Sequence, residues 1–252
     1  MNTSKYILLL VFLLLFGSCQ QNKEYEPIDQ IVVHIQQEPQ RLSPILATSG
    51  YERIVSEHVF LSLCDFDPST LDMVPVLSTE VPKGISAIGN NGETLTSYDI
   101  EILPEAVWSD GTPITGLDFA FTMKILTIPY VNSPNWKLLL SSLIDISIDA
   151  QNPKKFTVTL SGDYFLGDVG LLTAEFYPAH IYDSEKLLSR YSYKELKEID
   201  WESLSEEEDE KFKLFNTNFS SPKMTRNVGI EGTGPYTLES WETGQYLSLI
   251  HI

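Results

Sequence analysis

Residues 94–126, TLTSYDIEILPEAVWSDGTPITGLDFAFTMKIL, restrict the fold more than any other stretch of the chain. Tyr98, Ile100 and Ile102 alternate with Asp99 and Glu101, the period of two that a half-buried strand requires. Trp108 leads into Ser109-Asp110-Gly111, a polar turn whose glycine is free to take positive φ. After Pro113, Thr115 is placed to N-cap a helix over residues 117–126. In that helix Leu117, Phe121 and Ile125 lie beside Phe119, Met123 and Leu126 on two adjoining faces. The stretch predicts strand, turn, strand and amphipathic helix, and nothing in it is catalytic.

Similar patterning extends outward. The β-branched run IVVHI at 31–35 predicts a first strand, and residues 53–63 fit a helix. Asn90-Asn91-Gly92 is a hairpin-type turn. LIDISI at 143–148 and FTVTL at 156–160 alternate as strands, joined by a turn over 149–155. Residues 187–196 and 207–215 predict helices, and the acidic run 206–209 suits the positive end of the second helix dipole. Gly232 and Gly234 predict a sharp bend; a phosphate loop is excluded because no Lys-Ser/Thr follows and Pro235 opens a strand.

The N-terminus reads as a targeting segment. Lys5 precedes a continuous apolar run over 7–16, short for a membrane span, and Phe16-Gly17-Ser18-Cys19 resembles a bacterial lipobox. Residues 1–19 are expected to be a lipoprotein signal peptide, with Cys19 the lipidated residue and 20–30 a flexible tether. An ordinary cleaved signal peptide or a membrane anchor is the alternative. Cys64 is then the one cysteine left, in an apolar context, and is expected to be buried without a disulfide partner.

Trp108-Ser-Asp-Gly-Thr-Pro-Ile-Thr115 followed by Asp118-Phe-Ala-Phe121 resembles the signature region of the family 5 extracellular solute-binding proteins, the peptide- and nickel-binding receptors of ABC importers. A second landmark agrees: Gly229-Ile-Glu-Gly-Thr-Gly-Pro-Tyr236, then Leu238-Glu-Ser-Trp241 and the run 244–249, resembles the family's Gly-Thr-Gly-Pro-Tyr bend and strand pair. Leu42-Ser43-Pro44 is similar to its Leu-Asp-Pro turn, with Ser43 replacing the usual aspartate. The resemblance covers residues 31 to about 249.

It implies an α/β fold, a lobe of the periplasmic-binding-protein type II kind with a smaller inserted α+β domain, the C-terminal lobe lying outside this chain. Solute-binding domain I would comprise residues 31–59 and 164–249, and domain II residues 60–163. The implied function is capture of peptides in the bacterial cell envelope, facing the periplasm from a lipid anchor, and delivery to an ABC permease by a monomer. Thr48, Ser49, Gly50 and Tyr51 fall on the family's ligand-lining loop and are the expected ligand contacts. Because the group that family receptors often use for the peptide amino terminus would sit in the absent lobe, this chain alone is expected to bind poorly. The alternatives are another solute on the same scaffold, such as a nickel chelate or oligosaccharide, and an envelope interaction lipoprotein without transport.

Composition narrows the classes further. Thirty-five acidic against seventeen basic residues, a net charge of −18, argue against nucleic acid as partner. No Gly-x-Ser-x-Gly, His-Glu-x-x-His or dinucleotide fingerprint is present, so no catalytic residues, cofactor or metal are assigned. His58 reads as a helix-surface residue without a partner at metal spacing, His180 as a helix-start residue, and Asp65 and Asp67 as turn chemistry rather than a carboxylate pair.

Overall fold

The computed structural model describes residues 30–162, 167–226 and 229–252. The signal peptide, Cys19 and all but the last residue of the tether lie outside the described residues, as does the expected domain boundary at 163/164. Residues 36–252 form one unit, and residues 30–35 fall in another. The strand predicted over 31–35 is not formed: these residues are irregular, and Ile31, Val32 and Val33 are exposed. Among the described residues no strand pairs with them, so β-branched composition alone does not make them a strand.

The first helix, α1 (Gly50–Val59), is followed by a two-stranded ribbon of β1 (Cys64–Phe66) and β2 (Met73–Pro75). A four-stranded antiparallel sheet comes next, from β3 (Ile85–Ile88), β4 (Thr94–Glu101), β5 (Leu143–Ile148) and β6 (Lys155–Ser161), in the order β3-β4-β6-β5. Asn91-Gly92 turns β3 into β4, with Gly92 at φ 82°. Tyr98 pairs with Val158 and Ile100 with Phe156, so the alternation read from sequence puts these four on one buried face. The opposite face carries Asp99–Thr157 and Ser97–Thr159 side-chain hydrogen bonds and the Glu101–Lys155 ion pair.

The strand expected after the Ser-Asp-Gly turn reduces to one isolated bridge, Val107 with Pro113, because proline has no N–H to extend a ladder. Helix α2 (Gly116–Ile125) then packs on the inner sheet face, Phe119 lying 5.2 Å from Phe156 and 5.8 Å from Phe176. A side chain at Gly116 would come within 2.7 Å of Phe156, which is why the helix begins on glycine. Thr115 caps it as expected, with Asp118 completing the capping box. Leu117 is the exception to the predicted apolar face; it is exposed.

Helix α3 (Pro134–Leu139) precedes β5, and α4 (Gly167–Leu172) and α5 (Ala179–Tyr182) follow β6. The helix predicted over 187–196 is broken into a 3-10 turn, Leu188–Arg190, and α6 (Tyr193–Glu198). Helix α7 (Glu206–Phe219) buries Phe212, Phe215 and Phe219 on one stripe, and its acidic first turn follows the Ser205 cap. Helix α8 (Pro222–Thr225) leads to the hairpin β7 (Tyr236–Glu242) and β8 (Tyr246–His251). Tyr177 joins these parts: its ring lies 5.6 Å from Phe60, 4.8 Å from Tyr182 and 5.2 Å from Phe219. Its hydroxyl pairs with the buried hydroxyl of Ser43, so the serine of the Leu-Ser-Pro turn does structural duty. Among the described residues no helix is long and apolar enough to cross a membrane.

Candidate functional site

Thr48, Ser49, Gly50 and Tyr51 are brought together at the N-terminus of α1, held by one buried carboxylate. Glu52 Oε2 accepts from the Thr48 N–H at 2.6 Å, the Ser49 N–H at 3.1 Å and the Thr48 hydroxyl at 3.3 Å. Ser49 returns the bond by accepting from the Glu52 N–H, which completes a capping box. Glu52 Oε1 sits 3.4 Å from Arg41 Nε, so a charge 99% withdrawn from solvent faces a half-buried guanidinium. Thr48 and Gly50 are exposed and Tyr51 half-buried. The first-turn N–H groups of Gly50 and Tyr51 have no intrahelical acceptors, so the loop offers donors, a hydroxyl and a ring face at one spot. Tyr51 donates to Gln36 Oε1 at 3.0 Å, tying the loop to the segment that carries Glu38.

Glu38 is a group that sequence reasoning missed. Its carboxylate accepts from the Trp241 indole N–H at 2.8 Å, the Gly244 N–H at 3.0 Å and Arg226 at 3.1 Å. The Trp241 and Gly244 bonds and the Arg226 charge hold the Glu38 carboxyl below its usual range. Arg226 also lies 4.4 Å from the Trp241 ring centroid. This brace fixes the tip of the β7–β8 hairpin. The Glu38→Ala variant is therefore expected to loosen the hairpin tip and to melt at a slightly lower temperature than the parent. It should also be cut faster after Glu242 by a glutamate-specific protease; unchanged cleavage would show that the hairpin tip holds itself.

The two sequence landmarks meet at the segment leaving α1. The Val59 carbonyl accepts from the Thr233 N–H at 3.0 Å and the Gly234 N–H at 2.8 Å, and the Leu61 N–H donates to Thr233 Oγ1 at 2.6 Å. From the other side, the Ser109 N–H donates to the Gly232 carbonyl at 3.1 Å and the Gly232 N–H donates to Ser109 Oγ at 3.2 Å. Ser109 also donates to Glu231. Asp110 of the same turn accepts from the Thr112 N–H at 2.7 Å and lies 2.7 Å from His180 Nε2. Although partial burial pushes the Asp110 carboxyl up, the Thr112 and His180 bonds leave it below its usual range. His180 thus stands at a helix start, as read from sequence, with the added task of tethering the turn.

The other candidates resolve as structure. Asp67 accepts from the Ser69 and Thr70 N–H groups, a turn, and Cys64 is buried with its thiol pushed up by desolvation. Asp118 is buried, which raises its carboxyl; it accepts from the Ala179 N–H at 2.9 Å and the Thr115 N–H at 2.9 Å. No group of three or more potential metal ligands converges among the described residues.

This arrangement, an α/β body with the Thr48–Tyr51 loop at a helix start, has the fold of the periplasmic-type solute-binding proteins. Solved structures share it. An oligopeptide-binding protein from Thermus thermophilus, complexed with a pentapeptide, superposes with a TM-score of 0.64 at 23% identity, covering 85% of this chain and 36% of its own. NikZ from Campylobacter jejuni, in complex with Ni(L-His), gives 0.56 at 20% identity, covering 86% and 34%. The Escherichia coli murein tripeptide binding protein MppA gives 0.56 at 18%, covering 86% and 37%. The chain spans about a third of the length of these proteins. No curated protein sequence matches it. Over residues 43–250 the sequence matches the family described as bacterial extracellular solute-binding proteins, family 5 Middle, and the chain belongs to that family.

Proposed function

We propose that this chain is part of a substrate-binding lipoprotein of an ABC importer, which captures peptides in the cell envelope and delivers them to a permease. The observation that carries the reading is the α1 loop. Thr48 and Ser49, locked by Glu52, and Gly50 and Tyr51, whose N–H groups have no intrahelical acceptor, stand together at a helix start in a member of a solute-binding family. Such a site suits the main-chain carbonyls of an extended peptide, which offer acceptors irrespective of side chain. Tyr51 adds an aromatic face for whichever residue lies above it. Oligopeptide complexes stand among its structural relatives beside the nickel–histidine complex, and the main-chain chemistry of the loop is the ground for choosing a peptide.

In this reading domain I comprises residues 31–59 and 164–249 and domain II residues 60–163, a division supported by the four-stranded sheet lying wholly within the second. Cys19 would be lipidated, residues 20–30 would hold the monomeric receptor off the membrane, and the protein would face the periplasm. Native mass spectrometry of the complete purified protein tests the function. A ladder of co-purified peptide masses released on denaturation is expected, and a single non-peptide mass would move the ligand class. An empty protein that ignores peptide mixtures would sink the transport reading. In the same assay Tyr51→Ala is expected to weaken peptide binding about tenfold, roughly 1.4 kcal/mol, without lowering Tm. Unchanged affinity would remove the loop from the site.

A further inference from the structure

Away from that loop, a cavity of about 160 Å³ opens between the end of α2, α3, the start of β5 and α6. Met123, Leu126 and Leu140 give it an apolar floor, Tyr193 and Ser141 contribute to its lining, and Lys137 and Lys197 line it from α3 and α6. The two lysines are held without acids. Lys137 Nζ donates to the Ile128 carbonyl at 2.6 Å and, more weakly, to Pro129 at 3.5 Å. Lys197 Nζ donates to the carbonyls of Leu143 and Ser141. Among the described residues no carboxylate lies within 4.0 Å of either ammonium, in a chain with twice as many acids as bases.

An ammonium carries three N–H donors, so each lysine keeps one beyond its two carbonyl bonds. Partial burial pushes both groups down with no neighbouring charge offsetting it, which marks two cations short of a counter-charge. Carbonyls orient an ammonium but do not neutralise it; a carboxylate does both and forms the stronger, charge-assisted bond. The size of the space limits what can bring that carboxylate. A cavity near 150 Å³ holds a molecule of about six non-hydrogen atoms, and an apolar floor rejects a fully hydrated ion.

We propose that this cavity binds a short aliphatic carboxylate, its oxygens bridging Lys137 and Lys197 and its alkyl end lying on Leu126 and Leu140. The site is separate from the peptide-facing loop and does not depend on it.

The probe is sodium butyrate, titrated into the purified full chain and followed by calorimetry and by Tm. Saturable binding is expected, with butyramide, which lacks the charge, binding at least tenfold more weakly. Sodium phosphate at equal ionic strength should give no saturable shift. The double variant Lys137→Met/Lys197→Met should lose the butyrate response. Because those substitutions also remove carbonyl bonds, a second variant, Ser141→Phe, fills the cavity from its exposed rim with both charges intact, and it should lose the response as well. No saturable butyrate binding, equal binding of butyramide or phosphate, or a full response in either variant would overturn the proposal.

Discussion

Replacing Gly232 with alanine is expected to lower the melting temperature by about 10 °C, the cost of several kcal/mol in a domain of this size. The added Cβ would stand 2.1 Å from the Val59 carbonyl oxygen, a backbone atom that cannot swing away. Gly234 is under the same constraint, 2.3 Å from the His58 carbonyl oxygen. Relief requires the bend to back off, and that movement stretches the Thr233 and Gly234 bonds to Val59, the Leu61–Thr233 bond and the Ser109–Gly232 exchange together. Two controls separate crowding from backbone strain. At Gly50 a Cβ meets nothing within 4 Å, and Gly50→Ala should leave Tm almost unchanged. Gly92 is equally open but at φ 82°, so Gly92→Ala should cost only about 1 kcal/mol. Differential scanning calorimetry on the three variants decides the matter; a Gly232 variant no worse than the Gly92 variant would mean that the crossing yields.

The second large effect depends on pH. Glu175 forms an isolated bridge with Ser62, on the segment leaving α1. Burial pushes its carboxyl up to about 8, with Glu57 and then Asp65 adding to the rise and Arg53 opposing it. A carboxyl raised in the folded state binds more protons folded than unfolded between the two values. Stability is therefore full below about 4.5 and falls as pH rises towards about 8. Each pH unit in that window costs at most about 1.4 kcal/mol, and the residue's partial exposure reduces the total to about 3 kcal/mol. Glu175→Gln keeps the shape and removes the charge. Its Tm should match that of the parent at pH 4.5 and exceed it progressively up to pH 8.5. Parallel Tm–pH curves for the two proteins would show that Glu175 titrates as an ordinary surface acid.

Much of this architecture is legible in the residues. The alternation of Tyr98 and Ile100 correctly assigned the buried sheet face and Thr115 the helix start; Gly232 and Gly234 read as a bend, and their close approach to the Val59 and His58 carbonyls is added by the structure. What was not legible is mostly local competition. The helix expected over 187–196 is interrupted because Asp183 accepts from the Leu188 and Ser189 N–H groups, while Ser192 and Glu195 form a capping box that starts a new helix. Both devices use side chains that helix periodicity counts only as polar. Residues 31–35 carry strand composition but no pairing partner, and composition cannot supply one. At the candidate site, Thr48 to Tyr51 are named by resemblance, and the structure gathers them at the start of α1. The Glu38–Trp241 bond was not legible, since its partners are 203 residues apart and each looks unremarkable in its own stretch.

The meeting of the Ser109–Gly111 turn, the Gly232–Gly234 bend and the segment from Val59 has a further consequence. In the sequence they are separate words, more than forty residues from one another; in the fold they are a single joint, each closing the hydrogen bonds of the next. A change in one is thus a change in the fit of the other two. Drift at this joint should proceed by compensated pairs rather than by independent steps. That makes its vocabulary slow to alter, even where the surrounding sequence has diverged to about one residue in five shared with its structural relatives.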